Sequence, residues 1–284
     1  MKQQLGIALA TLLIAGLAAV QAQQTQNPAL KIEKVKDNLF VISESGGNVA
    51  VRVTPEGVIL IDDKFERNFD EIMARVKSVT GMPVKYVINT HQHGDHTGSN
   101  VQFIKTAEII AHKNARANMV KTKQMDTPPR ITFGDETAVY LGGAEVQAHY
   151  YGRGHTNGDA VIYFPDLKVV HMGDLFTAGF PYIDYENGGS LIEWTKTIDA
   201  ALALDFDTAI PGHGPVMKKS DLQAHRTKIE TVRQRVRELI AKGVSKDQFV
   251  AQLKLDDIGW TINPTAVAAR SMPRLYDELS RSPG

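Results

Sequence analysis

The sequence predicts an α/β chain of the α+β kind, two β-sheets packed face to face and covered by helices. Three observations carry this. Short apolar runs bounded by Gly, Pro and Asp recur in both halves of the chain, the punctuation of strands and turns. Helical spacing interrupts them in each half, at Phe69, Ile72, Met73 and Val76 and again after Ser190. A chain of 284 residues, 43% of them hydrophobic, buries a sizeable core, and two strand-rich halves with helices fit a covered two-sheet sandwich.

Taken in order, Leu39 to Ile42 and Asn48 to Val53 are strands separated by Gly46-Gly47, and Gly57 to Ile61 is a third that ends at Asp62-Asp63. The helix containing Phe69 and Val76 stops at Gly81 and Pro83, before a strand from Val84 to Asn89. Ile109 to Ala111 is a strand, and Asn114 to Met125 a helix. In the second half, Val146 to Tyr150, Ala160 to Phe164 and Lys168 to Met172 are strands. Ser190-Leu191-Ile192-Glu193 has capping-box spacing and opens a helix through about Ala203. Thr208 to Ile210 follows. From Ser220 the chain turns helical, with Leu222, Ile229, Val232, Val236 and Leu239 on one face, a stop at Gly243, and shorter helices opened by Ser245 and by Asn263-Pro264.

One stretch stands apart: Thr90-His91-Gln92-His93-Gly94-Asp95-His96-Thr97-Gly98, a loop leaving the strand that ends at Asn89. It crowds four metal-ligand side chains, His91, His93, Asp95 and His96, into six residues. In an extended backbone His91 and His93 project the same way and can grip one ion, while Asp95 and His96 lie past the Gly94 bend, where a second could sit. Imidazole with carboxylate suits zinc, and also iron, manganese or nickel. The plain alternative is a solvated His-rich loop, a poor use of three His between a buried strand and a turn.

The spacing His91-x-His93-x-Asp95-His96 resembles that of the metallo-β-lactamase superfamily. Later blocks follow in the family's order: Gly154-His155-Thr156-Asn157-Gly158, then Gly173-Asp174 after an apolar run, then Pro211-Gly212-His213-Gly214. The resemblance spans roughly Leu39 to Pro215. It implies a four-layer αββα sandwich of two mixed sheets with the metal site along one edge, to which the helical pattern after Ser220 adds a C-terminal tail. It further implies that His91, His93 and His155 hold one metal, that Asp95, His96 and His213 hold a second, and that Asp174 bridges them. Asp62 matches a carboxylate the family places behind its ligands; the alternative is a turn-making Asp. His149 and His171, within strands, His225 on a helix and His112 at a strand end are expected outside the ligand set.

Two metals about 3.5 to 4 Å apart clamp a water, lower its pKa toward ~7 and hold the oxyanion that forms when it attacks a carbonyl. Asp95, touching metal and water, would orient the nucleophile and carry its proton to the leaving group. The resemblance thus implies a two-zinc hydrolase, with iron or manganese as other fits, opening a cyclic amide or ester such as a β-lactam or lactone by attack of the bridging hydroxide. Members with a Cys ligand carry it where Asp174 stands, and Asp174 is similar to glyoxalase-two-like and lactonase-like branches. A thioester hydrolase is therefore the alternative, and an iron-dependent oxidoreductase a more distant one. Ser45-Gly46-Gly47 is read as a flexible hairpin tip over the substrate, and Thr177 to Gly189, with Phe180, Tyr182 and Tyr185, as a second wall. A lactam carboxylate needs a cation, for which Lys64, Arg67 and Arg153 are the candidates by position.

The balance of 32 basic and 32 acidic residues offers no field for nucleic acid or an anionic membrane, so a small-molecule substrate is expected. Lys2, the apolar run Leu5 to Val20 and the small residues ending at Ala22 have the layout of a secretory signal. The run falls short of the ~20 residues a spanning helix needs. Residues 1–22 are thus expected to be cleaved after Ala22, residues 23–219 to form the sandwich and residues 220–284 to pack helically on it, with the mature protein in the periplasm or medium and no membrane attachment. With no Cys in the chain, stability would come from the core and metal rather than disulfides.

Overall fold

The computed structural model describes residues 29–123, 128–262 and 270–281. The expected signal and its cleavage point, the end of the helix placed through Met125, and the opening at Asn263-Pro264 lie outside these residues.

The first sheet runs β1 (Lys31–Lys36), β2 (Leu39–Ser43), β3 (Val49–Thr54), β4 (Gly57–Ile61), β5 (Val84–Asn89), β6 (Glu108–His112) and β7 (Ile131–Phe133), in sequence order across the sheet. The second contains β8 (Glu136–Leu141), β9 (Ala144–His149), β10 (Val161–Phe164), β11 (Val169–His171), β12 (Thr208–Ile210) and β13 (Met217–Lys218), ordered β13-β12-β11-β10-β9-β8. Both are mixed: β4 to β7 pair in parallel, as do β11 and β12, and the remaining pairs are antiparallel. The longer helices are α1 (Phe69–Val79), α2 (Lys113–Lys121), α3 (Leu191–Leu202), α4 (Lys219–Ala241) and α5 (Met272–Arg281).

Period-2 alternation builds the layers. Along β4, Ile59 and Ile61 face the second sheet, where they join Ile162, Phe164 and Val169 in one apolar cluster. Val58 and Leu60 point the other way, onto Ile72 and Val76 of α1 and Phe103. On the far side, Val161 and Val170 leave the second sheet to meet Trp194 and Ile198 of α3, Ile229 and Val232 of α4 and Leu275 of α5. Three apolar interfaces thus separate four layers, αββα, and the C-terminal helices share a core with the second sheet.

Every interior strand falls where the apolar runs placed it. The unanticipated strands are β1, β7, β8 and β13, the four sheet edges. An edge strand buries only part of one face, as the exposed positions of β1 and β8 record, so its residues carry no strong pattern. The capping box is half formed: Ser190 Oγ accepts from Glu193 N at 3.2 Å, but the Glu193 carboxylate turns away to pair with Arg153.

Candidate metal centre

The expected ligands lie where chains leave the carboxyl ends of strands, the crevice in which α/β sheets bind ligands. The His91 to His96 loop follows β5, Asp174 follows β11 and His213 follows β12, and β11 and β12 are parallel, so their exits share one edge. The structure brings all seven together. Donor atoms of His91, His93, His155 and Asp174 lie within 4.8 Å of one another, and those of Asp95, His96 and His213 form a second group of the same tightness. His112, His149, His171 and His225 belong to neither group.

Hydrogen bonds behind the first group fix its protons. Asp184 Oδ2 lies 2.8 Å from His93 Nε2 and the Tyr182 carbonyl 2.7 Å from His155 Nδ1, and since neither oxygen can donate, both nitrogens carry the hydrogen. Thr90 Oγ1 donates to Asp62 Oδ2 at 2.7 Å and therefore accepts from His91 Nδ1 at 3.1 Å. In the neutral form each ring keeps a lone pair on its other nitrogen, and these nitrogens face one another. His91 Nε2 is 3.1 Å from His93 Nδ1, which is 2.8 Å from His155 Nε2. Lone pairs at that distance repel unless a cation lies between them, so this donor set fits a metal ion.

Asp174 reaches both groups. Its Oδ2 is 3.6 Å from His155 Nε2, and its Oδ1 is 3.2 Å from His96 Nε2 and 3.4 Å from His213 Nε2. Asp95 Oδ2 lies 3.2 Å from His213 Nε2 and 3.6 Å from His96 Nε2. Burial pushes His155 down to about 4 and His91 well below the ordinary imidazole range, leaving both neutral and ready to ligate. In the second group burial also lowers His213, but the Asp174 and Asp95 carboxylates outweigh it and hold it at about 9. Burial opposes the charge of Asp95 too, yet His96 and His213 keep it at about 2. The second group is thus arranged around positive charge.

Asp62 does not serve merely as a turn. It is fully buried, accepts from Thr90 N at 2.7 Å, and lies 2.8 Å from His96 Nδ1, so one carboxylate ties the start of the ligand loop to a ligand ring. Glycines make room for the cradle: a Cβ on Gly47 would stand 2.2 Å from the His96 ring, and one on Gly212 would stand 2.0 Å from Asp174 Oδ1.

The hairpin tip departs from expectation. Lys64, with no exposed surface, donates to the carbonyls of Glu44 at 2.7 Å and Gly47 at 2.6 Å, and Gly47 N donates to Asp95 O at 3.0 Å. Ser45-Gly46-Gly47 is therefore pinned against the 91–96 loop and lines no part of the cavity over the two donor groups. Of the second wall, Phe180 and Tyr182 line that cavity, whereas Tyr185 turns away to donate to Glu278 Oε2 at 2.6 Å. Asp184, the Tyr182 carbonyl and Lys64 went unanticipated in these roles, because each acts through a neighbour remote in sequence and belongs to no spaced motif.

Fold and site together define a metal-dependent hydrolase. The model of the metallo-beta-lactamase superfamily matches residues 43–213, and the chain belongs to that family. It is similar to the metallo-beta-lactamase type 2 of Elizabethkingia meningoseptica, 29% identical over 208 residues that span 66% of this chain and 80% of the relative. It is also similar to the 2,4-dinitroanisole O-demethylase subunit alpha of Nocardioides sp., 25% identical over 202 residues, 69% of this chain and 61% of that one. Among solved structures, a metallo-beta-lactamase from Pontibacter korlensis superposes with a TM-score of 0.64 at 21% identity, covering 71% of this chain and 99% of the other, a likeness of fold.

Proposed function

We propose that this chain is an exported two-zinc hydrolase that opens a cyclic amide or ester. The observation that carries the reading is Asp174, one carboxylate with an oxygen toward each donor group. His91, His93 and His155 would hold one ion and Asp95, His96 and His213 the other, with Asp174 touching both. Such a pair supplies a water of lowered pKa and polarises a carbonyl. Asp95 lines the cavity above the site, where its Oδ2 would accept the proton of the attacking water and pass it to the leaving group. Asp184 and the Tyr182 carbonyl hold the His93 and His155 rings in the ligating tautomer, and Asp62 does the same for His96. A complete second group weighs against a single-iron oxidoreductase.

The test is turnover of a chromogenic cephalosporin, a lactone and a thioester by the mature protein, repeated after chelation. At least one is expected to be cleaved, with activity lost on chelation and restored by zinc. Cleavage that survives removal of all metal, or none in any metal-loaded preparation, would contradict the reading. Cleavage of the thioester alone would move the protein to the thioesterase alternative.

A further inference from the structure

The cavity over the metals has a chemistry of its own. It measures about 710 Å³, the size of a small-molecule site. Its floor is His93, Asp95, Asp174 and His213, and its walls are Phe65, Ala178, Gly179, Phe180 and Tyr182. Phe180 is braced edge-on by Trp260 at 5.6 Å, and the Tyr182 ring lies 5.7 Å from that of His155. Among the described residues, no Lys or Arg lines it.

Of the three cations that could have served a substrate carboxylate, two are committed elsewhere and none lines the cavity. Lys64 is fully buried beneath the hairpin with its ammonium on two carbonyls, and burial lowers it to about 8. Arg153 pairs with Glu193. Arg67, exposed, stacks its guanidinium on the Phe65 wall ring, 4.0 Å from the centroid, and stays outside the cavity lining. Arg270 and Arg274 act on the Tyr182 phenol from a distance, but neither lines the cavity, and Arg274 pairs with Glu186 at 3.2 Å. The segments outside the described residues contribute no Lys or Arg beyond Lys2.

A carboxylate held against these walls, away from the ions the floor would hold, loses water and finds no cation to replace it, whereas an alkyl or aryl group gains by burial. We infer that the site selects an uncharged ester, lactone or thioester bearing an apolar group, and discriminates against substrates that carry a carboxylate, cephalosporins among them. The inference rests on the hydrolase reading and narrows it. The walls do the selecting: Phe180 and Tyr182 receive the apolar group while the carbonyl lies over Asp95 and Asp174.

The test uses a matched pair, 4-nitrophenyl hexanoate and mono-4-nitrophenyl adipate, which differ by a terminal methyl against a terminal carboxylate, with spontaneous hydrolysis subtracted. The zinc-loaded enzyme is expected to favour the hexanoate in kcat/KM by about tenfold or more. Ala178→Lys, which sets an ammonium on the exposed rim of the cavity, should shift that ratio toward the adipate by about tenfold. Binding of both esters to the chelated protein, followed by quenching of its two tryptophans, is expected to rank them the same way. Equal or better turnover of the adipate would overturn the inference while leaving the hydrolase standing, and loss of that preference in Arg67→Ala or Arg270→Ala would name the cation responsible. Turnover of neither ester would overturn the inference alone, the hydrolase reading falling only if the cephalosporin, lactone and thioester are left intact as well.

Discussion

Asp62 holds its backbone at φ 62°, a left-handed conformation unfavourable for a non-glycine residue by about 1 to 2 kcal/mol. Three bonds offset that strain, from Thr90 N, Thr90 Oγ1 and the His96 ring. In Asp62→Asn an amide hydrogen must face either the threonine or the imidazole N–H. The expected result is a zinc affinity of the second group weaker by about 10- to 100-fold, at little change in fold, measured by competition with a chromophoric chelator. Unchanged affinity would reduce Asp62 to a loop anchor. Gly47 makes a related point through shape. With Lys64 and Asp95 pinning its backbone, Gly47→Ala drives a methyl into the His96 ring and should destabilise the protein by about 1 to 3 kcal/mol in denaturant unfolding, where Gly81→Ala, with nothing nearby, should not.

At the scale of elements, the C-terminal helix reaches the metal centre through one side chain. Glu278 of α5 accepts from Ser190 Oγ at 2.6 Å, Tyr185 Oη at 2.6 Å and Leu191 N at 3.1 Å, which also places a carboxylate at the N-terminus of α3. Those residues close the 182–190 loop, whose Tyr182 and Asp184 hold His155 and His93. Glu278→Gln sets an amide against donors, so melting should fall by about 3 °C or more and zinc should leave the first group faster than from wild type. Identical melting and zinc release would show α5 to be packing alone. A second helix gives a pH prediction. His225 of α4 is buried between Phe176 and Trp260 and pushed by burial down to about 3. Unfolded, it titrates near 6.5, so its contribution is complete above that pH and is lost as pH falls toward 3, where only the unfolded chain takes up the proton. His225→Leu should therefore show a smaller loss of urea resistance between about pH 7 and about pH 5 than wild type. Equal slopes would mean that His225 is protonated in the fold.

Across the whole molecule, what the sequence revealed follows from where each residue spends its surface. β4 and β10 are buried on both faces throughout and β5 over Val87 to Asn89, so their apolar runs announce them, and the ligand blocks are legible because they sit at strand exits with fixed short spacings. The edges β1, β7, β8 and β13 escape detection, since half of each faces water. Lys64, Asp184 and Glu278 are equally hidden: each is an ordinary charged residue until the fold supplies a carbonyl, an imidazole or a helix end from far along the chain. The same distance in sequence corrected the hairpin tip, whose glycines suggest mobility but serve close packing against His96. In the proposed site Asp174 would join two metal ions into one reactive unit. The most direct test of that bridging is the zinc content of the purified, refolding-competent protein and of Asp174→Ala, measured by elemental analysis alongside circular dichroism. About two zinc ions per chain are expected in the wild type, and a loss of at least one in the variant at unchanged secondary structure. Two ions retained by Asp174→Ala, or a single ion in an active wild-type protein, would contradict the bridging.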